Sequence, residues 1–194
     1  MIIPHAAKFL LWVGGWTSVG QVPNVRKAVI IGAPHTSNWD GFWGLVYKVS
    51  IGLDIRFFVK ESMFWFPLSL LLRGLGGIPL NRDAAASAVR DAVARFNNNE
   101  TFYFGLAPEG TRHKKRGWKS GFYRIAEDAG VPVSLGFFDY ANKRVGLGPL
   151  LTLTGDVDAD LEIIESFYVS IEACWPENVS AVTFAREKSR GEQR

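Results

Sequence analysis

His35 and Asp40, in the stretch "IIGAPHTSNWDGFWG" at residues 30–44, set an imidazole and a carboxylate five positions apart, just past a short apolar run. A carboxylate held against one ring nitrogen fixes the tautomer and leaves the other nitrogen to accept a proton, as a general base requires. The spacing has a plainer meaning as well. Asp40 would then cap the helix that follows, and His35 would be an ordinary loop residue. Spacing alone leaves both readings open.

A second group lies in "LAPEGTRHKKRGWKSG", residues 106–121. Gly110 permits a sharp backbone path, and Thr111 and Arg112 offer donors beside it. The planar fork of Arg112 suits a phosphate gripped at two points, while Lys114, Lys115 and Arg116 add looser positive charge. Arg82, in "GIPLNR", is a candidate second prong, and Lys60, closing "IRFFVK", a third. For Lys115 and Arg116 a solvated face is the simpler reading.

Two other chemistries find less support. His35, Asp40, Glu109 and His113 are metal-ligand types, but neither a paired-His spacing nor a cysteine set accompanies them, so no metal site is predicted. The glycine-serine-glycine elbow of hydrolases is absent, since Ser120 in "GWKSG" stands one place late.

These groups need elements to hold them, and the apolar patterns alternate. "KAVIIGA" (27–33), "IRFFVK" (55–60), "GIPLN" (77–81), "TFYFGLA" (101–107), "VPVSLGFFDY" (131–140) and "RVGLGPLLTLT" (144–154) read as strands. Helical periods fall at 39–51, 64–75 around Pro67, 83–97, 118–129 stopped by Gly130, and 158–171. Strand and helix in alternation predict an α/β fold, a mostly parallel sheet with helices packed around it. The hairpin at "ANK" adds an antiparallel edge and makes the sheet mixed. Both polar groups fall where strands end and helices begin, the place where such sheets gather function.

"HTSNWD", "GGIPLNR", "APEGTR" and "GVPV" occur in the order and approximate spacing of the glycerophospholipid acyltransferase family, which this chain resembles over roughly residues 27–140. The resemblance implies an αβ sandwich and transfer of a fatty acyl group from a CoA or acyl-carrier-protein thioester to the hydroxyl of a lysophospholipid such as 1-acylglycerol-3-phosphate. It implies His35 as base with Asp40 as partner, and Arg82, Glu109, Gly110, Thr111 and Arg112 as residues that bind the acceptor's phosphate. It further implies that Val131, Pro132 and Val133 line or support the acyl-binding region, and that the N-terminal segment meets a membrane. The acyl thioester is a co-substrate, and no cofactor is implied. Pro34 where many members carry Asn, Ala107 for a common Phe, and His113 for a frequent Ser depart from the pattern. These departures bear on the acceptor, for which an amino-acid lipid, a glycolipid or a lipid A precursor are alternatives. A catalytically idle lipid-binding protein is the non-enzymatic alternative.

Composition limits the setting. The 194 residues suit one domain spanning 1–194, and a single cysteine, Cys174, excludes a disulfide framework. A formal charge of +3 is too mild to indicate nucleic acid as partner. Seven Trp and fourteen Phe are many for this length, and several crowd into "PHAAKFLLWVGGW" and "MFWFPLSLLL", yet neither stretch reaches the ~20 apolar residues of a membrane span. With Lys8 and Arg73 alongside, such stretches suit a bilayer surface, with residues 1–20 as a membrane-surface helix. The opening segment lacks a signal-peptide pattern, so the expected location is cytoplasmic, peripheral on the membrane's inner face.

Overall fold

In the computed structural model, which describes residues 2–80 and 85–185, seven strands form one sheet. They are β1 (Thr17–Val19), β2 (Lys27–Ala33), β3 (Ile55–Lys60), β4 (Gly77–Leu80), β5 (Phe102–Leu106), β6 (Val133–Asp139) and β7 (Arg144–Leu151). The spatial order is β1-β7-β6-β2-β5-β3-β4, which puts β2 in the middle. Only the β6–β7 pairing is antiparallel, so β7 and β1 run against the other five. The sheet is mixed and mostly parallel, as the alternating pattern predicts.

Strand β2 explains the layering. Its side chains alternate between faces, and both faces are buried. Val29, Ile31 and Ala33 join a core built with α4 (Ala85–Asn98), α5 (Gly121–Ala129) and α6 (Val157–Tyr168). Ala28 and Ile30 join a second core under α1 (Ile2–Val13) and α2 (Asn38–Ser50). The β-branched run therefore becomes a strand sealed on both sides. The polar residues after Ala33 emerge at the edge of a rigid layer.

Local chemistry sets several boundaries. Helix α3 (Leu68–Gly74) starts only after Pro67, whose ring lacks an amide hydrogen, and α5 stops at Gly130 in the left-handed region (φ 61°). The expected helix at 118–129 begins later, at Gly121. Trp118 instead pairs with the C-terminal segment, its N–H donating to Thr183 O (2.7 Å) while its carbonyl accepts from Ala185 N (2.9 Å).

The expected helix over residues 1–20 is shorter. It ends at Val13, and Thr17–Val19 form the edge strand β1 beside β7. That pairing depends on Gly146, where a Cβ would stand 2.2 Å from Val19 O. The segment after α6, for which the sequence predicts no element, crosses the C-terminal end of the sheet. It bonds to residues after β2, β5 and β6: Trp175 N to Thr36 Oγ1 (3.1 Å), Lys115 N to Ser180 Oγ (3.0 Å) and Tyr140 N to Glu172 O (2.9 Å).

Candidate active site

The chain leaves β2 at Ala33 and enters α2 at Asn38, leaving four residues for the turn. Ser37 is the N-cap in extended conformation, and its hydroxyl accepts from Trp39 N (3.2 Å). Asp40 is the third helical residue and closes a capping box. Its Oδ2 accepts from the backbone N–H of Thr36 and of Ser37, both at 2.7 Å. The same oxygen lies 3.3 Å from His35 Nδ1. The two readings of the sequence describe one carboxylate, which caps the helix and faces the imidazole. The five-residue spacing is what a turn plus a capping box requires.

The other carboxylate oxygen is also taken. Tyr140, directly after β6, donates its hydroxyl to Asp40 Oδ1 at 2.7 Å. Burial, and after it Asp40, push that phenol well above its ordinary range, so it stays a donor. Asp40 is fully buried, at 0% exposure, and surrounded by donors. His35 is 24% exposed, with Nδ1 turned inward to the carboxylate. No hydrogen bond among the described residues engages Nε2, so that nitrogen can exchange a proton with a substrate.

Glu109 supports the loop from below. Its Oε1 accepts from His35 N at 2.9 Å, and the side chain is 1% exposed. Burial pushes its carboxyl up to about 7, against the opposing pull of the His35 N–H and ring; the charge of Asp40 pushes it further up. This position differs from the phosphate-binding part that the family resemblance implies. Glu109 has no surface on which a phosphate could rest, and it positions the histidine loop instead.

Gly110 takes φ +64°, and Lys119 lies so close that a Cβ there would sit 2.7 Å from its Cε. The loop is closed at its base by Lys119 N donating to Pro108 O (2.8 Å). The Thr111 hydroxyl accepts from His113 N at 3.4 Å, a long bond. Arg112 is exposed, and its Nη1 donates to Asn38 Oδ1, tying the cationic loop to the start of α2. Lys114, Lys115 and Arg116 all face solvent.

Thr36, Ser37, Asn38, Arg112, His113, Trp175 and Asn178 line an open cleft of about 530 Å³. A depression of similar size, about 570 Å³, opens at the other end of the sheet around Gly52, Arg56, Arg95 and Thr101, away from these groups.

Three sequence assignments fare differently. Lys60 is exposed at the C-terminal end of β3, the same end as His35, but two strands away across β5. Among the described residues no hydrogen bond or ion pair joins it to His35 or Arg112. Arg82 lies outside the described residues. Val131, Pro132 and Val133 stand at the start of β6, where Pro132 O accepts from Val29 N and Val133 pairs with Val29. Val29 is six residues before His35, about 20 Å along a strand. These three fix strand register at the far end of the sheet and do not line the site. Among the described residues, no group of three or more His, Cys, Asp or Glu side chains is placed to hold a metal ion.

Tyr140, Trp175 and Asn178 were not evident from sequence. Tyr140 carried a faint signal, because a polar aromatic follows a strand that pairs with β2. Recognising it required knowing that β6 is the neighbour of β2. Trp175 and Asn178 sit in irregular backbone with no periodic signal.

An acyltransferase family model matches residues 17–134, more than half of the chain. The chain belongs to the acyltransferase family. No curated protein sequence matches it. Among solved structures it is similar to the 1-acyl-sn-glycerophosphate (LPA) acyltransferase PlsC from Thermotoga maritima, with a TM-score of 0.61 and 18% identity. That match covers 89% of this chain and 79% of the other, and at this identity the likeness is one of fold.

Two outcomes follow for this acyltransferase. The folded protein keeps a proton on Glu109 that the unfolded chain releases between about pH 4.5 and 7. The contribution of this group to stability is therefore fullest below pH 4.5 and is lost as pH rises through 7. Urea midpoints measured from pH 5 to 8 should fall less steeply in Glu109→Gln than in the native protein; an identical slope would remove Glu109 as the cause. Tyr140→Phe leaves one Asp40 oxygen without its donor. Its kcat should drop about tenfold, equivalent to ~1.4 kcal/mol, with KM little changed. A steady-state kcat equal to that of the native protein would show that the phenol does not support the dyad.

Proposed function

We propose that the enzyme transfers a fatty acyl group from an acyl thioester, carried by CoA or acyl carrier protein, to the hydroxyl of a lysophospholipid such as 1-acylglycerol-3-phosphate. The observation that carries this reading is the Asp40-backed imidazole of His35, whose chain neighbour Thr36 lines an open cleft together with Arg112. The activity named for the structurally similar PlsC points the same way.

In this reading Nε2 of His35 takes the proton as the acceptor oxygen attacks the thioester carbonyl. The imidazolium that forms is stabilised by Asp40, whose charge is already held by two backbone donors and Tyr140. The tetrahedral intermediate then collapses with cleavage of the carbon–sulfur bond, and His35 returns the proton to the leaving thiolate. A thioester is already activated, so no acyl-enzyme is needed. Base catalysis contributes about 10²–10⁴-fold, and positioning of the two substrates supplies the remainder. Arg112 holds the acceptor's phosphate, with Thr111 beside it and Lys60 as a further cation at the same end of the sheet; Arg82 is assigned to the same anion by the sequence and its family resemblance alone.

The acceptor and the acyl chain both belong to a bilayer, and the exposed apolar side chains suit a protein resting on its cytoplasmic face. Among the described residues no helix is long and apolar enough to cross a membrane. Phe9, Leu10, Trp12 and Val13 of α1, Trp39 and Phe42 in the first turns of α2, and Trp65, Phe66, Leu70 and Leu71 around α3 all face outward. Trp39 is next to Asp40 in the chain, so the apolar surface borders the mouth of the site.

Incubation with an acyl thioester and a panel of lysophospholipids, followed by thiol release, tests the reaction. His35→Ala should lose at least about 100-fold in kcat with an unchanged circular dichroism spectrum. Arg112→Ala should mainly raise KM for phosphate-bearing acceptors. Turnover by folded His35→Ala at the native rate would remove the base, and silence of the native protein across all acceptors would favour an idle lipid-binding protein. The surface is tested by sedimentation with phosphatidylglycerol vesicles. The double variant Trp65→Asp/Phe66→Asp should bind at least about tenfold more weakly, because two aromatic side chains lose their burial in the interface. Unchanged partition would exclude this tip from the docking face.

A further inference from the structure

The cleft beside His35 has a wall that the family motifs do not reach. Trp175 and Asn178 line the cleft together with Arg112 and His113, and Trp175 lies 41 residues after the family match ends. The wall is built into the site rather than laid loosely against it. Trp175 N donates to the hydroxyl of Thr36, and Thr36 N donates to Asp40 Oδ2, so the wall hangs from the loop that carries the base. Its two flanks are tied to the other site loops, by Tyr140 N to Glu172 O and by Lys115 N to Ser180 Oγ. Asn178 N donates to Trp175 O at 3.0 Å and closes the turn between them.

The lining falls into two chemical groups. One presents Arg112 and His113 with Lys114 next in the chain, groups suited to an anion. The other presents an indole, 53% exposed, and a primary amide that donates and accepts. Neither of these two side chains carries a charge. The open cleft, of about 530 Å³, extends over more surface than one phosphate needs.

Resting on the acyl-transfer reading above, we propose that Trp175 and Asn178 bind an uncharged, hydroxyl-bearing substituent beyond the acceptor's phosphate, and so make lysophospholipids with a polyol head group substrates of this enzyme. Arg112 holds the phosphate, the indole covers the carbon face of the polyol, and the Asn178 amide pairs with its hydroxyls. Because the cleft is open to water, which can pair the amide when no polyol is present, these contacts favour the polyol acceptor without excluding one that lacks it.

The test compares lysophosphatidylglycerol with lysophosphatidate, one acyl thioester being used throughout. The native protein should turn over both. Trp175→Ala and Asn178→Ala should each lower kcat/KM for lysophosphatidylglycerol relative to lysophosphatidate by at least about fivefold, with KM for the thioester unchanged. Both variants keep the main-chain bonds that anchor the segment, and a thermal melt checks that they fold. A ratio that falls by less, or native turnover of lysophosphatidate with none of lysophosphatidylglycerol, overturns the polyol site and leaves the acyl-transfer reading standing. Absence of native turnover with any lysophospholipid overturns that reading itself.

Discussion

The arrangement depends on one buried carboxylate. Asp40 has no exposure to water, and an isolated charge in that position would be prohibitive. Two backbone N–H groups and a phenol at 2.7 Å, with an imidazole at 3.3 Å, replace the lost solvent. Each donor comes with a structural requirement. The N–H groups point at Oδ2 only if residues 35–38 turn tightly into α2. The phenol reaches Oδ1 only if β6 ends beside β2. Satisfying the charge therefore determines the path of the loop, and the path of the loop determines where His35 stands.

Sheet order makes this convergence available. Strand β2 lies between β5 and β6, both parallel to it, so the chain exits all three at the same end. The connections from β2 and β5 lead to different sides of the middle strand, which opens a crevice at the carboxyl ends. Glu109 follows β5, His35 follows β2 and Tyr140 follows β6. Three segments far apart in sequence thereby supply a support, an imidazole and a clamp on its carboxylate partner. The C-terminal segment then crosses all three exits, bonding to Thr36, Lys115 and Tyr140.

Much of this was legible in the residues, and the reasons are physical. The strands of the parallel core announce themselves because burial on both faces demands continuous β-branched and aromatic runs, as in "KAVIIGA". His35, Asp40 and Arg112 stood out because side chains with chemistry followed such runs. The motif marks Glu109 as polar and close to Arg112, but it does not reveal that the side chain turns inward to His35 N. Tyr140 was missed because its partner is 100 positions away and only strand pairing brings them together. Strand β1 is three residues long, too short for any period. The segment after α6 is held mainly by main-chain bonds, which leave almost no trace in residue type.

The double duty of Asp40 also governs how substitutions at the site should be read. Its carboxylate caps α2, fixes the turn and faces His35, so removing it weakens the helix start and strips the imidazole of its partner together. A loss of activity at position 40 cannot be assigned to chemistry alone, because a missing cap by itself costs about 0.5–2 kcal/mol and the turn would loosen with it. His35 is different. Its ring is partly exposed, and its structural bond to Glu109 is made by the backbone N–H, which every residue but proline retains. The imidazole can be deleted without cutting the backbone bond that holds the loop, so a substitution there tests the proposed base apart from stability. The physical asymmetry is between a buried acceptor that organises the fold and a half-open ring that the fold merely presents.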